Sequence, residues 1–154
     1  MSWAVFERAV PGAVAALRSL GQAIDGAGLD KRLIELIKVR ISQINACAYC
    51  LKLHLDWARQ AGVPPVQLDL VATWREAGCF DARERAALEW AEALAGMAMS
   101  HVSDETYERA ARQFSEVQLA ALTTAIATIN AWNRIAGSLR FTPPGLSMPP
   151  RSAG

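Results

Sequence analysis

The sequence predicts an all-α fold with a single domain. Its 154 residues are enough to bury a hydrophobic core, and hydrophobic residues make up 52% of the chain. In several segments apolar residues recur three and four positions apart, which is the spacing of one helix face. The sequence shows no clear strand alternation and no internal repeat. Helices packed around one core are therefore the expected architecture.

Helix breakers and caps predict where the helices begin and end in the first part of the chain. Residues 3–9 are expected to form a short helix, and Pro11 can open a second one that runs to about Ala23. Gly26 and Gly28 then interrupt the helical pattern, so this second helix should end before them.

Two longer helices are predicted to follow, over residues 31–45 and 48–61. Asp30 is a suitable N-cap for the first, because its side chain can accept a hydrogen bond from a free backbone N–H group. Gly62 and the Pro64–Pro65 pair end the second. These two helices carry most of the residues that are capable of chemistry.

The second half of the chain is also predicted to be helical. Four helices are expected there: a short one from Pro65, one over residues 82–98 behind Asp81, one from Ser103 to about Phe114, and one over residues 116–139. The last has no charged residue between Glu116 and Arg134, so we expect a central helix, buried on most sides and partly by another subunit. A helical domain over residues 1–140 would thus precede a proline-rich, extended or disordered tail over residues 141–154.

Composition limits the classes of partner and compartment. The formal net charge is +1, which gives no sign of a nucleic-acid-binding surface. The uncharged part of the last helix falls short of the roughly 20 apolar residues of a membrane span. Three cysteines, two of them in a C-x-x-C pair, fit redox or metal chemistry in a reducing compartment. Because Glu7 and Arg8 interrupt the start of the chain, we expect no signal peptide and a cytoplasmic protein that binds neither nucleic acid nor membranes.

One stretch, residues 35–54 (ELIKVRISQINACAYCLKLH), concentrates the groups capable of chemistry. On a helix, Cys47, Cys50 and His54 fall three and four residues apart and share an inward face with apolar residues. Cys47 lies at the expected helix start, where free N–H groups and the helix dipole lower a thiol pKa, so it is the better candidate for the reactive thiolate. Cys50 can attack a sulfur species formed on Cys47, and His54 can relay a proton to or from Cys50.

Glu35 can join this group only if the chain bends. A straight helix from Glu35 to the first cysteine would separate the two by roughly 18 Å, so contact requires a bend near Asn45–Ala46. After such a bend, the carboxylate of Glu35 could orient the imidazole of His54 or accept its proton. Alternatively, Glu35 is a solvated residue that pairs with Lys31 and Lys38 at helical spacing, and spacing alone does not decide between the two.

Other interpretations of these residues remain open. The cysteines could be small hydrophobic core residues, or they could bind zinc together with the imidazole. A zinc site would need a fourth ligand, so Cys79 or His101 would have to reach it, although neither has the spacing of a metal motif. Trp132 and Asn133 in the last helix are further candidates for the wall of the thiol pocket.

The pattern E-x(11)-C-A-Y-C-x(3)-H that begins at Glu35 resembles the alkylhydroperoxidase (AhpD-like) branch of the carboxymuconolactone decarboxylase family. The Trp-Arg pair at residues 74–75, the later ARERAALEWAEAL segment and the INAWNRI segment at residues 129–135 are also similar to that family's core. The resemblance covers roughly residues 20–140. It implies an all-α fold assembled as a homo-oligomer, often trimeric or hexameric, and a thiol-based peroxidase activity that needs no cofactor.

By position, the resemblance also implies roles for individual residues. Cys47 matches the thiol that a hydroperoxide oxidises to a sulfenic acid, and Cys50 the resolving thiol that closes a disulfide, which an external dithiol or thiol protein then reduces. Glu35 and His54 match the proton relay. Tyr49 stands where some members have a histidine, and a phenol with its usual pKa of about 10 cannot act as a base at neutral pH. The relay would therefore rest on Glu35 and His54 alone.

Several functions are consistent with these residues. The first is a peroxidase that reduces organic hydroperoxides, and the second is a dithiol–disulfide oxidoreductase that uses the same cysteine pair without peroxide. The third is a non-catalytic oligomeric helical module, with a structural zinc, that binds a partner. Lactone decarboxylation is not expected, because the decarboxylase branch of the family lacks the cysteine pair.

Overall fold

Within residues 1–147, the part of the chain that the computed structural model describes, eight α-helices are joined by short connections. They are α1 (Trp3–Ala9), α2 (Pro11–Gln22), α3 (Lys31–Ile44), α4 (Ala48–Gln60), α5 (Pro65–Leu70), α6 (Ala82–Ala95), α7 (Asp104–Gln113) and α8 (Glu116–Ser138), with 3₁₀ turns at Asp25–Ala27 and Val71–Thr73. This part contains no strand, which confirms the predicted all-α class. Nor does it contain a helix long and apolar enough to cross a membrane. Residues 148–154, part of the predicted tail, lie outside the described residues.

Side-chain caps fix where the helices begin, as the sequence predicts. The carboxylate of Asp30 accepts a hydrogen bond from the second backbone N–H of α3 at 2.8 Å. Asp81 and Ser115 take part in capping boxes at the starts of α6 and α8. Helix α6 ends earlier than predicted, at Ala95, because Gly96 is a poor helix former and occupies the C-cap.

Helix α3 lies at the centre of the fold, where it packs against α4, α6 and α8. Eight of its fourteen residues are buried. The uncharged α8 is expected from the sequence to be the central helix, yet only nine of its 23 residues are buried. The centre is α3 because residues 33–37 are all buried, so more than one full turn is enclosed on every side.

The polar side chains of α8 are satisfied largely within the helix. The hydroxyl groups of Thr123, Thr124 and Thr128 donate to backbone carbonyl groups four residues earlier, at 2.7, 2.9 and 2.8 Å. The Nδ2 group of Asn130 does the same at 3.0 Å. Because these groups already have partners, α8 can pack against apolar neighbours without charged residues.

A carboxylate on α6 joins three parts of the fold. Glu92 accepts a hydrogen bond from Nε of Arg40 on α3 (2.7 Å) and another from the indole N–H of Trp74 (3.0 Å). It also forms an ion pair with Arg75. Burial raises the pKa of Glu92, but these hydrogen bonds outweigh burial, so the pKa lies below its usual range. The Trp74-Arg75 pair, which is similar to the family's core in sequence, thus takes part in the contacts made by Glu92 in this protein.

The chain reverses direction between α3 and α4, at the predicted bend. Ala46 adopts a left-handed conformation with φ of 52°. Its N–H donates to the carbonyl of Gln43 at 3.1 Å, and the N–H of Cys47 donates to the carbonyl of Ser42 at 3.0 Å. This is the Schellman arrangement, in which glycine usually occupies the left-handed position. As a result, α4 packs back against α3.

Helix α1 and the segment after α8 meet beside α4. Trp3 stacks on Tyr49 with ring centroids 6.4 Å apart, and Phe141 contacts both rings edge-on. The terminal amino group of Met1 donates to the carbonyl of Leu139 at 3.0 Å. Phe141 is only 4% exposed, so the residue at which the predicted tail begins belongs to the core.

Replacing Ala46 by glycine should stabilise the protein by about 0.5–1 kcal/mol. Glycine removes the steric cost of the left-handed conformation, and that gain exceeds the entropy that glycine adds to the unfolded chain. Urea denaturation followed by circular dichroism measures the change. The control is Ala127→Gly at an exposed position of α8, which should destabilise by about 1 kcal/mol. An equal loss in Ala46→Gly would contradict this account of the bend.

Candidate active site

The start of α4 holds the cysteine pair. Cys47 is the N-cap, and its Sγ accepts a hydrogen bond from the backbone N–H of Cys50 at 3.3 Å. Both thiols are free, and the residues are 1% and 3% exposed. The pair therefore lies on the inward face of α4, as the spacing predicts.

One turn further along α4, His54 lies in a group with two residues of α3. Nδ1 of His54 lies 2.7 Å from Oε2 of Glu35, and Nζ of Lys38 lies 2.9 Å from Oε1 of the same carboxylate. Glu35 is 4% exposed, so the solvated alternative is wrong, although the pairing with Lys38 does occur. The predicted bend brings Glu35 and His54 into direct contact.

The electrostatics of this contact define the protonation state of the imidazole. Burial raises the pKa of Glu35, but the hydrogen bond with His54 and the charge of Lys38 outweigh burial and hold the pKa below its usual range. Burial, together with the charge of Lys38, lowers the pKa of His54 by more than Glu35 raises it. At neutral pH, His54 is thus neutral and Glu35 is ionised. Because the carboxylate accepts a hydrogen bond from Nδ1–H, Nε2 is left as the basic nitrogen.

The two thiols have opposite acidities. The hydrogen bond from the Cys50 thiol, together with the N–H groups of Cys50 and Tyr49, outweighs burial and lowers the pKa of Cys47 to about 7. The same thiol–thiol hydrogen bond, added to burial, raises the pKa of Cys50. At neutral pH about half of the molecules therefore carry a thiolate in this pair, and Cys47 is the residue that holds it.

A buried amide of α8 lies behind the cysteine pair. Asn133 is 3% exposed, and its side chain also lowers the pKa of Cys47 by hydrogen bonding. Its Nδ2 donates to the hydroxyl of Ser42 at 3.2 Å, and its Oδ1 accepts from Nδ2 of Asn45 at 2.9 Å. These bonds fix the orientation of the amide. Asn133 thus lies beside the cysteine pair, but it does not line the cavity that leads to the pair, which is where the sequence hypothesis placed it.

A cavity of about 370 Å³ leads to the cysteine pair. Its wall includes Cys50 and His54 but not Cys47. The rest of the wall is mostly apolar, and its aromatic members are Trp3, Tyr49, Trp57, Trp132 and Phe141. A ligand in this cavity can therefore contact Cys50, whereas Cys47 does not line the cavity.

Some residues of this wall could not be found from the sequence. Trp132 is a predicted candidate and does line the cavity. Trp3 and Phe141 were not predicted, because they come from opposite ends of the described chain and no spacing relates them to the cysteines. Their only sequence signal is that they are large aromatic residues near helix ends.

The candidate zinc ligands do not join the site. Cys79 is half-buried, and its backbone carbonyl accepts a hydrogen bond from Gln67 at 2.8 Å. His101 is exposed in the connection between α6 and α7. In the described part of the chain, no three His, Cys, Asp or Glu side chains are grouped so that they could hold a metal ion.

Comparison with known proteins identifies the family. A profile of the carboxymuconolactone decarboxylase family matches residues 2–93, more than half of the chain. The chain belongs to this family. The uncharacterized protein YdfG of Bacillus subtilis (strain 168) is 35% identical over 109 residues, which make up 71% of this chain and 74% of YdfG.

Two solved structures narrow the assignment within the family. One is ATU0492 from Agrobacterium tumefaciens, a protein of unknown function whose description relates it to the antioxidant defence protein AhpD. Its sequence is 35% identical to this chain and its TM-score is 0.86. The match covers 90% of this chain and 95% of ATU0492. The other is the alkylhydroperoxidase AhpD core of an uncharacterized peroxidase-related protein from Ralstonia eutropha JMP134. It is 25% identical with a TM-score of 0.79, and the match covers 91% of this chain and 75% of that one. The protein is thus a member of the AhpD-like branch, as the motif predicts.

Reduced wild-type protein should show an ultraviolet thiolate absorbance that titrates near pH 7 and is lost as the pH falls, because Cys47 is then protonated. Cys47→Ser should abolish this transition. Asn133→Ala should move it to higher pH, since a hydrogen bond to the thiolate is lost. Cys79→Ser serves as the control and should leave the midpoint unchanged. A wild-type midpoint near the ordinary thiol value of about 8.5 would contradict the assignment.

Proposed function

We propose that this protein is a thiol-dependent peroxidase that reduces organic hydroperoxides through the Cys47/Cys50 pair and a Glu35/His54 proton relay. The observation that carries the proposal is that Cys50 and His54 share the wall of one cavity, with Glu35 hydrogen-bonded behind the imidazole. Membership of the AhpD-like branch supports the same chemistry.

The position of the cavity favours Cys50 for the first step. The resemblance to the family implies Cys47 as the attacked thiol, and its lowered pKa agrees with that role. However, the cavity wall includes Cys50 and excludes Cys47. A hydroperoxide must touch the sulfur that attacks it, so we assign the attack to Cys50 and the resolving step to Cys47.

In the oxidative step, the basic Nε2 of His54 accepts the proton of the Cys50 thiol. The resulting thiolate attacks the terminal oxygen of the hydroperoxide, and the O–O bond breaks. The leaving alkoxide takes the proton back from His54 and departs as an alcohol. Glu35 stabilises the imidazolium that exists between these two transfers. Cys50 is then a sulfenic acid, and the peroxide has been reduced by two electrons.

In the resolving step, the Cys47 thiolate attacks the Cys50 sulfenic sulfur. The S–S bond forms as the S–O bond breaks, and the leaving hydroxide becomes water by taking up from solvent the proton that Cys47 released when it ionised. A thiol with a pKa of about 7 is well suited to this step, because much of it is ionised at neutral pH. Thiol–disulfide exchange with an external dithiol or thiol protein then restores both thiols. We include that reductant, and assembly as a homo-oligomer, in the proposal.

One equivalent of cumene hydroperoxide should convert the reduced, metal-free wild type to a Cys47–Cys50 disulfide, as detected by mass spectrometry. Cys47→Ser should trap a sulfenic acid on Cys50, because its resolving thiol is missing. Cys50→Ser should react slowly. A sulfenic acid trapped in Cys50→Ser instead would reverse the two roles. If the wild type stays reduced with peroxide but exchanges with small disulfides, the protein is a dithiol–disulfide oxidoreductase and not a peroxidase.

Glu35→Gln and His54→Ala should each slow the oxidation of Cys50 by about 100-fold, because the thiol then lacks a positioned base. Stopped-flow measurement of tryptophan fluorescence during oxidation gives the rate. His101→Gln is the control, since His101 is exposed and remote in the chain from the site, and it should react like wild type. Wild-type rates in both relay variants would remove the relay from the mechanism.

A further inference from the structure

The cavity beside Cys50 is much larger than hydrogen peroxide requires. Its volume is about 370 Å³. At roughly 30 Å³ for each water-sized group, it could hold a ligand of about a dozen non-hydrogen atoms. This volume lies at the lower end of the range for small-molecule sites. A compact organic molecule fits within the cavity, whereas a long acyl chain would extend beyond it.

The wall of the cavity favours a compact, apolar body. Trp3 stacks on Tyr49 with an interplanar angle of 14°, and its ring lies 5.8 Å from that of Trp132. Phe141 closes the same side with its ring 5.4 Å from Tyr49. Aromatic faces and edges held this way contact a ring or a branched hydrocarbon over a large area.

The charged side chains of the wall are both cationic. Arg18 and Lys38 line the cavity, and within the described residues no aspartate or glutamate does. Lys38 is bonded to the carboxylate of Glu35 at 2.9 Å, so its charge is largely balanced behind the wall. Arg18 is also paired with a carboxylate, that of Glu7, but this pair is much more exposed, so the charge of Arg18 is the more accessible of the two to a ligand.

The contacts of Arg18 leave part of its guanidinium group open. Nη2 lies 3.0 Å from Oε1 of Glu7, and the group sits 5.6 Å from the centre of the Trp3 ring. The side chain is 58% exposed, and within residues 1–147 its Nε and Nη1 groups have no hydrogen-bond partner. A guanidinium group has five donors, so a second carboxylate can bind it beside Glu7 or in its place.

We propose that this cavity binds a compact carboxylate with an aromatic or branched apolar body, its anionic end at Arg18 and its apolar body against the aromatic wall. The binding site does not depend on the chemistry of the cysteines. The substrate preference, in contrast, rests on the proposed peroxidase function. If that function is combined with this binding site, the preferred substrate is a carboxylate-bearing hydroperoxide whose O–O group reaches Cys50.

Two ligands that cannot oxidise thiols test the binding site directly. We would compare 4-isopropylbenzoate with its neutral analogue 4-isopropylbenzamide, both of about a dozen non-hydrogen atoms. Binding to the reduced full chain is followed by tryptophan fluorescence, since three tryptophans line the cavity. The carboxylate should bind about threefold more tightly, the modest gain expected for an exposed ion pair. High ionic strength should shrink this difference.

Three variants assign the preference to Arg18. Arg18→Gln should remove the difference between carboxylate and amide, and Glu7→Gln should increase it, because Glu7 competes for the same guanidinium group. Arg8→Gln changes the net charge by the same amount at an exposed position of α1 outside the cavity wall, and it should behave as wild type. Equal binding of the two ligands to wild type, or a preference that survives in Arg18→Gln, would overturn the proposal.

The substrate preference is tested with a matched pair of oxidants. Cumene hydroperoxide and its 4-carboxylate differ only in the anionic group. The carboxylate should be consumed with a kcat/KM about threefold higher in wild type and equal in Arg18→Gln. Arg18-dependent binding of 4-isopropylbenzoate without turnover of either oxidant would support the anion site and overturn the peroxidase. Turnover of both at equal rates, with equal binding of the two ligands, would overturn the anion site and support the peroxidase.

Discussion

The reversal of the chain at Ala46 decides how the residues of the candidate site lie relative to one another. Because α4 runs back against α3, a carboxylate that precedes the bend and an imidazole that follows it come to the same depth in the core. The hydrogen bond from the backbone N–H of Cys47 to the carbonyl of Ser42 holds the turn and places the first cysteine at the helix start. If α3 and α4 formed one straight helix, Glu35 would be far from the cysteines and could not contact His54.

The buried ionised carboxylate is stable here because both of its oxygens are occupied. One contacts Nδ1 of His54 and the other contacts Nζ of Lys38. A carboxylate in an apolar core without such partners would become protonated and could not orient the imidazole. Lys38 therefore has two effects: it keeps Glu35 ionised, and together with burial it keeps His54 neutral.

The sequence predicts the part of the site that depends on local geometry. Helical spacing places Cys47, Cys50 and His54 on one inward face, and the distance from Glu35 requires the bend that the structure has. Spacing could not show which thiol faces the cavity, because both lie on that face and the choice depends on how α8 and α1 pack above it. It also misplaced the centre of the fold, since an uncharged helix such as α8 can satisfy its polar groups by itself.

The cavity wall contributed by Trp3 and Phe141 is separate, along the chain, from the hairpin that holds the thiols and the relay. Part of the cavity wall is thus encoded outside the segment that carries the cysteine pair. Substitutions in α1, or in the residues after α8, can change what enters the cavity while the dithiol and its base keep their geometry. In this architecture, new substrate ranges can evolve by drift at the two flanks of the domain, under little constraint from the reaction itself.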